Sequence, residues 1–218
     1  MAKKEHLDGK FGWFFKTVGC IRVDREIHDE TAKSEAINLL KNGYVVGLFP
    51  EGTRNQIFGK EEINKKLYEL YQDKLSYKDF IKTLKNNQVC ISELNLLDKL
   101  LNDNRITLNE YKDNALNIYP YLEKLLKDKT ITKEEYASSQ LLPIKFGAVS
   151  LAVKTGATII PCAVTGKYTF KNNHLNIRFG IPFKVENVSD LEESRQKLEN
   201  EIIRLKLEGI KEIKNNKI

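Results

Sequence analysis

Glu51, Gly52, Thr53 and Arg54 stand in immediate succession: a carboxylate, a residue with no side chain, a hydroxyl and a guanidinium. Glycine lets a backbone approach a ligand closely. Arginine offers a planar fork of donors that fits a phosphate or carboxylate, and threonine adds a hydroxyl donor. The apolar run Tyr44-Val45-Val46-Gly47-Leu48 precedes them, with Phe49 and Pro50 between. A strand running straight into such a turn reads as a phosphate-recognising edge of an α/β sheet. The same residues also suit an ordinary polar turn after a buried strand.

Periodicity supplies the elements that must position this turn. Ile21 to Asp24 reads as a short strand. Asp29 is placed to cap a helix through about residue 41, with Ala32, Ala36, Leu39 and Leu40 on one face and Gly43 as its stop. A strand over 44–49 follows. A second such unit comes later: Ala148, Leu151, Ala152 and Thr155 share a helical face, Gly156 ends it, and 157–164 is a buried strand. Leu175, Ile177 and Phe179 alternate with polar residues, the spacing of a half-buried strand. Ser189 and Glu192 form a capping box opening a long helix with Leu191, Leu198, Ile202 and Leu205 inside. Near the start, Phe11, Phe14, Phe15 and Val18 share one helical face, with Trp13 beside them. Core packing is the favoured reading of that face; insertion into a membrane interface is the other. Strands alternating with helices give the fold class α/β, a sheet flanked by helices.

Phe49 to Arg54 resembles the F-P-E-G-T-R signature of glycerolipid acyltransferases, the 1-acyl-glycerol-3-phosphate (lysophosphatidate) acyltransferase family. Gly19-Cys20-Ile21-Arg22-Val23-Asp24-Arg25 resembles the family's G-x-I-x-[IV]-D-R block. Leu142-Pro143-Ile144-Lys145-Phe146-Gly147-Ala148 resembles L-P-F-K-K-G-A, and Ile159-Ile160-Pro161-Cys162-Ala163-Val164 resembles I-V-P-V-x-[IV]. Ala2-Lys3-Lys4-Glu5 with Gly12-Trp13 resembles the run that precedes the second block. The matches come in the family's order and cover about 1–55 and 141–185.

The resemblance implies transfer of a fatty acyl group from a thioester, on coenzyme A or acyl carrier protein, to the hydroxyl of 1-acyl-glycerol-3-phosphate, giving phosphatidate. The thioester is a co-substrate; no bound cofactor or metal is expected. The family's base is the histidine of a His-x4-Asp dyad, and it takes the hydroxyl proton. Five residues after His6 stands Phe11, after His28 Lys33, and after His174 Phe179, so no dyad occurs. The catalytic set is therefore empty, and the expectation is a chain truncated ahead of Ala2. By the same resemblance Glu51, Gly52, Thr53 and Arg54 hold the glycerol phosphate, with Arg25 and Lys145 adding positive potential. Lys3 and Lys4 read first as a solvated tail, and His6 and His28 as surface histidines rather than substitute bases. Gly147 is expected to allow close packing at a helix start, and Pro161 to shape a strand.

In the family the F-P-E-G-T-R and L-P-F-K-K-G-A stretches lie a few residues apart; here residues 55–141 intervene. This segment echoes itself, Leu100 to Tyr111 against Leu125 to Tyr136, with Leu70 to Phe80 a fainter third copy. Each copy ends one helix and starts another with a Ser or Thr cap and a carboxylate three residues on: Ser76 with Asp79, Thr107 with Glu110, Thr132 with Glu135. It is too long for a structureless loop. The expected organisation is an acyltransferase-like α/β domain made of 1–55 and 141–218, with 56–140 a helical insertion forming a small all-α lobe.

Apolar residues make up 41% and charged residues 30%, a globular composition with no apolar run long enough to span a bilayer. The net charge of +6 suits an anionic membrane surface or a phosphorylated substrate; no nucleic-acid module is present. Cys20, Cys90 and Cys162 are widely spaced and read as small core hydrophobes. The expected place is peripheral, on the cytoplasmic side of a membrane. Three readings fit: an acyltransferase fragment, a catalytically dead lysophospholipid-binding adaptor acting through the insertion with an unknown protein partner, and a helical interaction module with no lipid role.

Overall fold

A computed structural model of the chain describes residues 2–24, 29–167 and 174–215. Along it run β1 (Ala2–Lys3), α1 (Lys4–Leu7), α2 (Gly12–Thr17), β2 (Arg22–Val23), α3 (Glu30–Lys41), α4 (Glu61–Tyr68), α5 (Tyr77–Asn87), α6 (Ile91–Asn102), α7 (Leu108–Asn114) and α8 (Ile118–Lys127). There follow α9 (Lys133–Ser138), α10 (Gly147–Thr155), β3 (Cys162–Lys167), β4 (His174–Phe179) and α11 (Leu191–Asn215). Helices dominate, and the named strands form two two-stranded sheets, β1 with β2 and β3 with β4. The chain divides into two compact units. One comprises Met1–Gly52, Lys145–Cys162 and Phe179–Glu201; the other comprises Thr53–Ile144, Ala163–Arg178 and Ile202–Ile218.

In the first unit β1 and β2 run parallel, with Ala2 opposite Arg22 and Lys3 opposite Val23. Asp29 caps α3 as its residue type dictates: one carboxylate oxygen accepts from Ala32 N–H at 2.9 Å, the other from Asp24 N–H at 2.7 Å. The Asp24 and Ala32 amides hold the Asp29 carboxyl below the usual carboxylate range. Ala32 and Ala36 bury their face against Ile21 and Leu151. Small side chains there let α3 and α10 approach closely. Gly156, at φ 69°, stops α10 where the sequence places the stop.

The second unit is built around Phe80, Leu84, Leu97, Leu100, Ile118 and Leu122, all fully buried in one apolar cluster. Its helices start on the caps read from the sequence. Ser76 accepts from Asp79 N–H at 3.2 Å, and Thr107 with Glu110 and Thr132 with Glu135 form complete capping boxes. The internal echo extends to the backbone. Asn104 and Lys129, equivalent in the two copies, both take left-handed φ, 55° and 59°. Arg105 N–H then donates to Leu100 O at 2.9 Å, and Thr130 N–H to Leu125 O at 2.8 Å. This closes both helices in the same way.

Several expectations are corrected. The segment 44–49 forms no strand among the described residues: Val45 is 93% and Phe49 79% exposed. A strand needs a continuous ladder with a neighbour, and among the described residues the two sheets, β1 with β2 and β3 with β4, do not include this run. The strand expected over 157–164 begins only at Cys162. Ile159 makes an isolated bridge to Phe183, and Pro161 has no N–H to carry the ladder between them. Phe11, Trp13, Phe14 and Val18 are exposed rather than packed in a core. Ser189 sits inside a 3-10 turn, its hydroxyl on Asp190 at 2.8 Å, so α11 starts without the expected capping box. A Cβ at Gly147 would meet nothing within 4 Å, so that glycine does not serve close packing. Cys162 is exposed, and Cys20 and Cys90 are half-buried.

Candidate functional site

The boundary between the two units falls inside the Glu51–Arg54 motif. In the first unit, Gly52 closes a tight turn. Its N–H donates to Phe49 O at 3.1 Å and its φ is +70°, the left-handed region that glycine enters without steric cost. Lys145 N–H donates to Pro50 O at 2.9 Å, which joins the two motif stretches across the long intervening segment. The Lys145 side chain lies along Gly52. A Cβ on residue 52 would stand 3.0 Å from Lys145 Cε and 3.1 Å from Nζ. Two of the expected binding residues, Gly52 and Lys145, are thus in contact, and Glu51 is half-buried between Pro50 and Gly52.

In the second unit, Thr53 Oγ1 accepts from Lys60 Nζ at 2.7 Å. Arg54 is exposed, and its guanidinium makes no hydrogen bond or ion pair with any described residue. Asn55 is held firmly. Its carbonyl accepts from Ile91 N–H at 2.6 Å, its Oδ1 from Ser92 N–H at 3.0 Å, and its Nδ2 donates to Ser92 Oγ at 2.8 Å. Each half of the motif therefore has an amine against it, Lys145 on Gly52 and Lys60 on Thr53. An exposed guanidinium such as that of Arg54, with no partner among the described residues, is suited to an oxyanion.

Arg25 lies outside the described residues, as does His28. The side chains of Lys3, His6 and His174 are likewise outside the description. Lys4 is not a solvated tail: its Nζ pairs with Asp24 at 2.8 Å, so it braces the second block. Lys60, Asn55 and Ser92 were not singled out from the sequence. The only local signal was Asn55 itself, a capping residue type directly after Arg54; its partner helix begins 36 residues later in the chain, at Ile91. Among the described residues no group of three or more His, Cys, Asp or Glu side chains is placed to hold a metal ion. No helix of the described residues is long and apolar enough to cross a membrane.

The 1-acyl-sn-glycerol-3-phosphate acyltransferase of Bacillus subtilis (strain 168) is 46% identical to this chain over 55 residues, which is 25% of this chain and 28% of that protein. The match thus spans well under a third of that relative. No solved structure matches the chain. The family model described as Acyltransferase matches residues 1–165, about three quarters of the sequence. That span takes in the turn at Gly52, the contact with Lys145 and the exposed Arg54, and on it the chain belongs to the Acyltransferase family.

Proposed function

We propose that this chain carries the acceptor-binding part of an acyltransferase that moves a fatty acyl group from acyl-CoA or acyl carrier protein to 1-acyl-glycerol-3-phosphate, giving phosphatidate. The observation that carries the reading is the motif turn. Gly52 is left-handed beneath the Lys145 side chain, and Arg54 is exposed with no partner among the described residues. In this reading the Arg54 fork takes two phosphate oxygens, and Lys145 and Lys60 add positive potential. Arg25 adds to it from the second block. Glu51, Gly52 and Thr53 shape the turn around the glycerol phosphate. Residues 1–55 and 141–218 make the acyltransferase-like part, and 56–140 is a helical insertion in it.

Transfer requires a base on the acceptor hydroxyl. The three histidines of the sequence offer no His-x4-Asp pair. A second reading has the chain bind lysophosphatidate without turnover and act as an adaptor through its insertion. The exposed Phe11, Trp13, Phe14 and Val18, flanked by Lys10 and Lys16, support contact with an anionic membrane interface in either reading.

The test is a titration of the chain with lysophosphatidate in mixed micelles, beside monoacylglycerol in the same micelles, together with thiol release from acyl-CoA. Saturable binding that needs the phosphate supports the acceptor site. Thiol release on top of it supports the enzyme, and its absence the adaptor. Equal binding of the two lipids overturns the site.

A further inference from the structure

Helix α6 begins in the insertion, yet its first turn is completed by Asn55, the residue that directly follows the motif. The first N–H groups of a helix have no partner within it. Here Ile91 N–H donates to Asn55 O at 2.6 Å and Ser92 N–H to Asn55 Oδ1 at 3.0 Å. A backbone N–H can only donate, so this contact fixes which end of the Asn55 amide is oxygen. The other end, Nδ2, donates to Ser92 Oγ at 2.8 Å. That hydroxyl donates in turn to Ser139 O at 2.6 Å, at the C-terminal end of α9. Ser92 and Ser139 are buried. The paired segment continues through the bridge between Gln56 and Cys90 and the bond from Ile57 N–H to Val89 O at 3.1 Å. One residue before Asn55 stands Arg54, and one further back Thr53, fixed by Lys60 at 2.7 Å.

We infer that Asn55 and Ser92 are positioning residues for Arg54, so that the start of α6 sets where the guanidinium is presented. The inference rests on the reading of Arg54 as the phosphate contact. An exposed arginine has many rotamers, and ordering them costs affinity. Anchoring the residue next to it on both its backbone and its side chain removes backbone freedom from Arg54 before the ligand arrives. The insertion is then a brace for the anion site, and a change in α6 reaches that site through Asn55.

The test is a double-mutant cycle. Binding of lysophosphatidate in mixed micelles is measured for the parent chain, Asn55→Ala, Arg54→Ala and the pair, with monoacylglycerol in the same micelles as the phosphate-free control. Asn55→Ala is expected to weaken lysophosphatidate about threefold to tenfold, the scale of one or two neutral hydrogen bonds. It should add little in the Arg54→Ala background and leave monoacylglycerol unchanged. Ser92→Ala, which removes the hydroxyl between Asn55 Nδ2 and Ser139 O, should repeat part of the loss. The Ser92→Ala variant carries the test if Asn55→Ala does not fold. Equal losses in both backgrounds, or equal losses for both lipids, make the role merely structural and overturn the inference. A loss in Arg54→Ala with none in Asn55→Ala or Ser92→Ala overturns it while the Arg54 site stands. No loss in Arg54→Ala removes the site and the inference together.

Discussion

The Lys145 side chain rests on Gly52, with Cε 3.0 Å and Nζ 3.1 Å from where a Cβ of residue 52 would sit. Two motifs separated by the whole helical segment thereby share one contact, backed by the Lys145 N–H to Pro50 O bond at 2.9 Å. Gly52→Ala adds a Cβ at φ +70°, costing roughly 1–2 kcal/mol in backbone strain, and it pushes Lys145 away. Urea unfolding should show the loss of stability, and lysophosphatidate binding should fall with it. An alanine variant as stable and as tight as the parent contradicts the geometry.

Glu93 is a buried carboxyl at the start of α6. Burial pushes it up to about 7, against the Cys90 N–H at 3.1 Å and the Lys206 charge, which pull it down. A folded value raised from 4.5 means that the protonated form is favoured on folding. Its contribution to stability is full below about pH 4.5 and is lost as pH rises through about 7, by up to about 3 kcal/mol. The resistance of the parent to denaturant should fall as pH rises over that window. Glu93→Gln, which keeps a capping oxygen, should flatten the profile; an unchanged slope would show that Glu93 does not titrate there.

Arg105 and Glu135 join the two copies of the internal echo. Nη1 stands 2.6 Å from Oε1 and Nη2 3.0 Å from Oε2, and the guanidinium also reaches Thr130 O. The Arg105 bonds, aided by the Thr132 N–H, pull Glu135 down to about 2. A lowered carboxylate contributes above about pH 4.5 and loses that contribution as pH falls toward about 2. Glu135→Gln should destabilise by about 1.5–3 kcal/mol at pH 7, the scale of a charged hydrogen bond, and the gap should close in acid. A gap independent of pH contradicts the assignment.

The caps at Ser76, Thr107 and Thr132 were legible in the sequence because a cap is settled within four residues of chain. The same locality made Asp29 and Gly156 readable as the start of α3 and the end of α10. The strand expected at 44–49 was not settled that way, because a strand depends on partners far away in sequence. The face of Phe11 and Phe14 has helical spacing whether it meets a core or not, so its exposure was not legible either. Of the candidate site residues, Gly52 and Arg54 could be picked out as candidates by type, and Lys145 by its motif. Lys60, Asn55 and Ser92 were not, because their roles exist only once the helical segment folds back onto Thr53 and Asn55.

Arg54 is the residue on which the functional reading turns. The most direct measurement is the affinity of the chain for lysophosphatidate, relative to monoacylglycerol in the same micelles, for the parent, Arg54→Ala and Arg54→Lys. A charge-assisted contact is worth roughly 1.5–3 kcal/mol, about tenfold to a hundredfold in affinity. The account predicts a loss of that size for the alanine variant with lysophosphatidate alone, and partial recovery with lysine, which lacks the bidentate fork. Undiminished lysophosphatidate binding by a folded Arg54→Ala would contradict it.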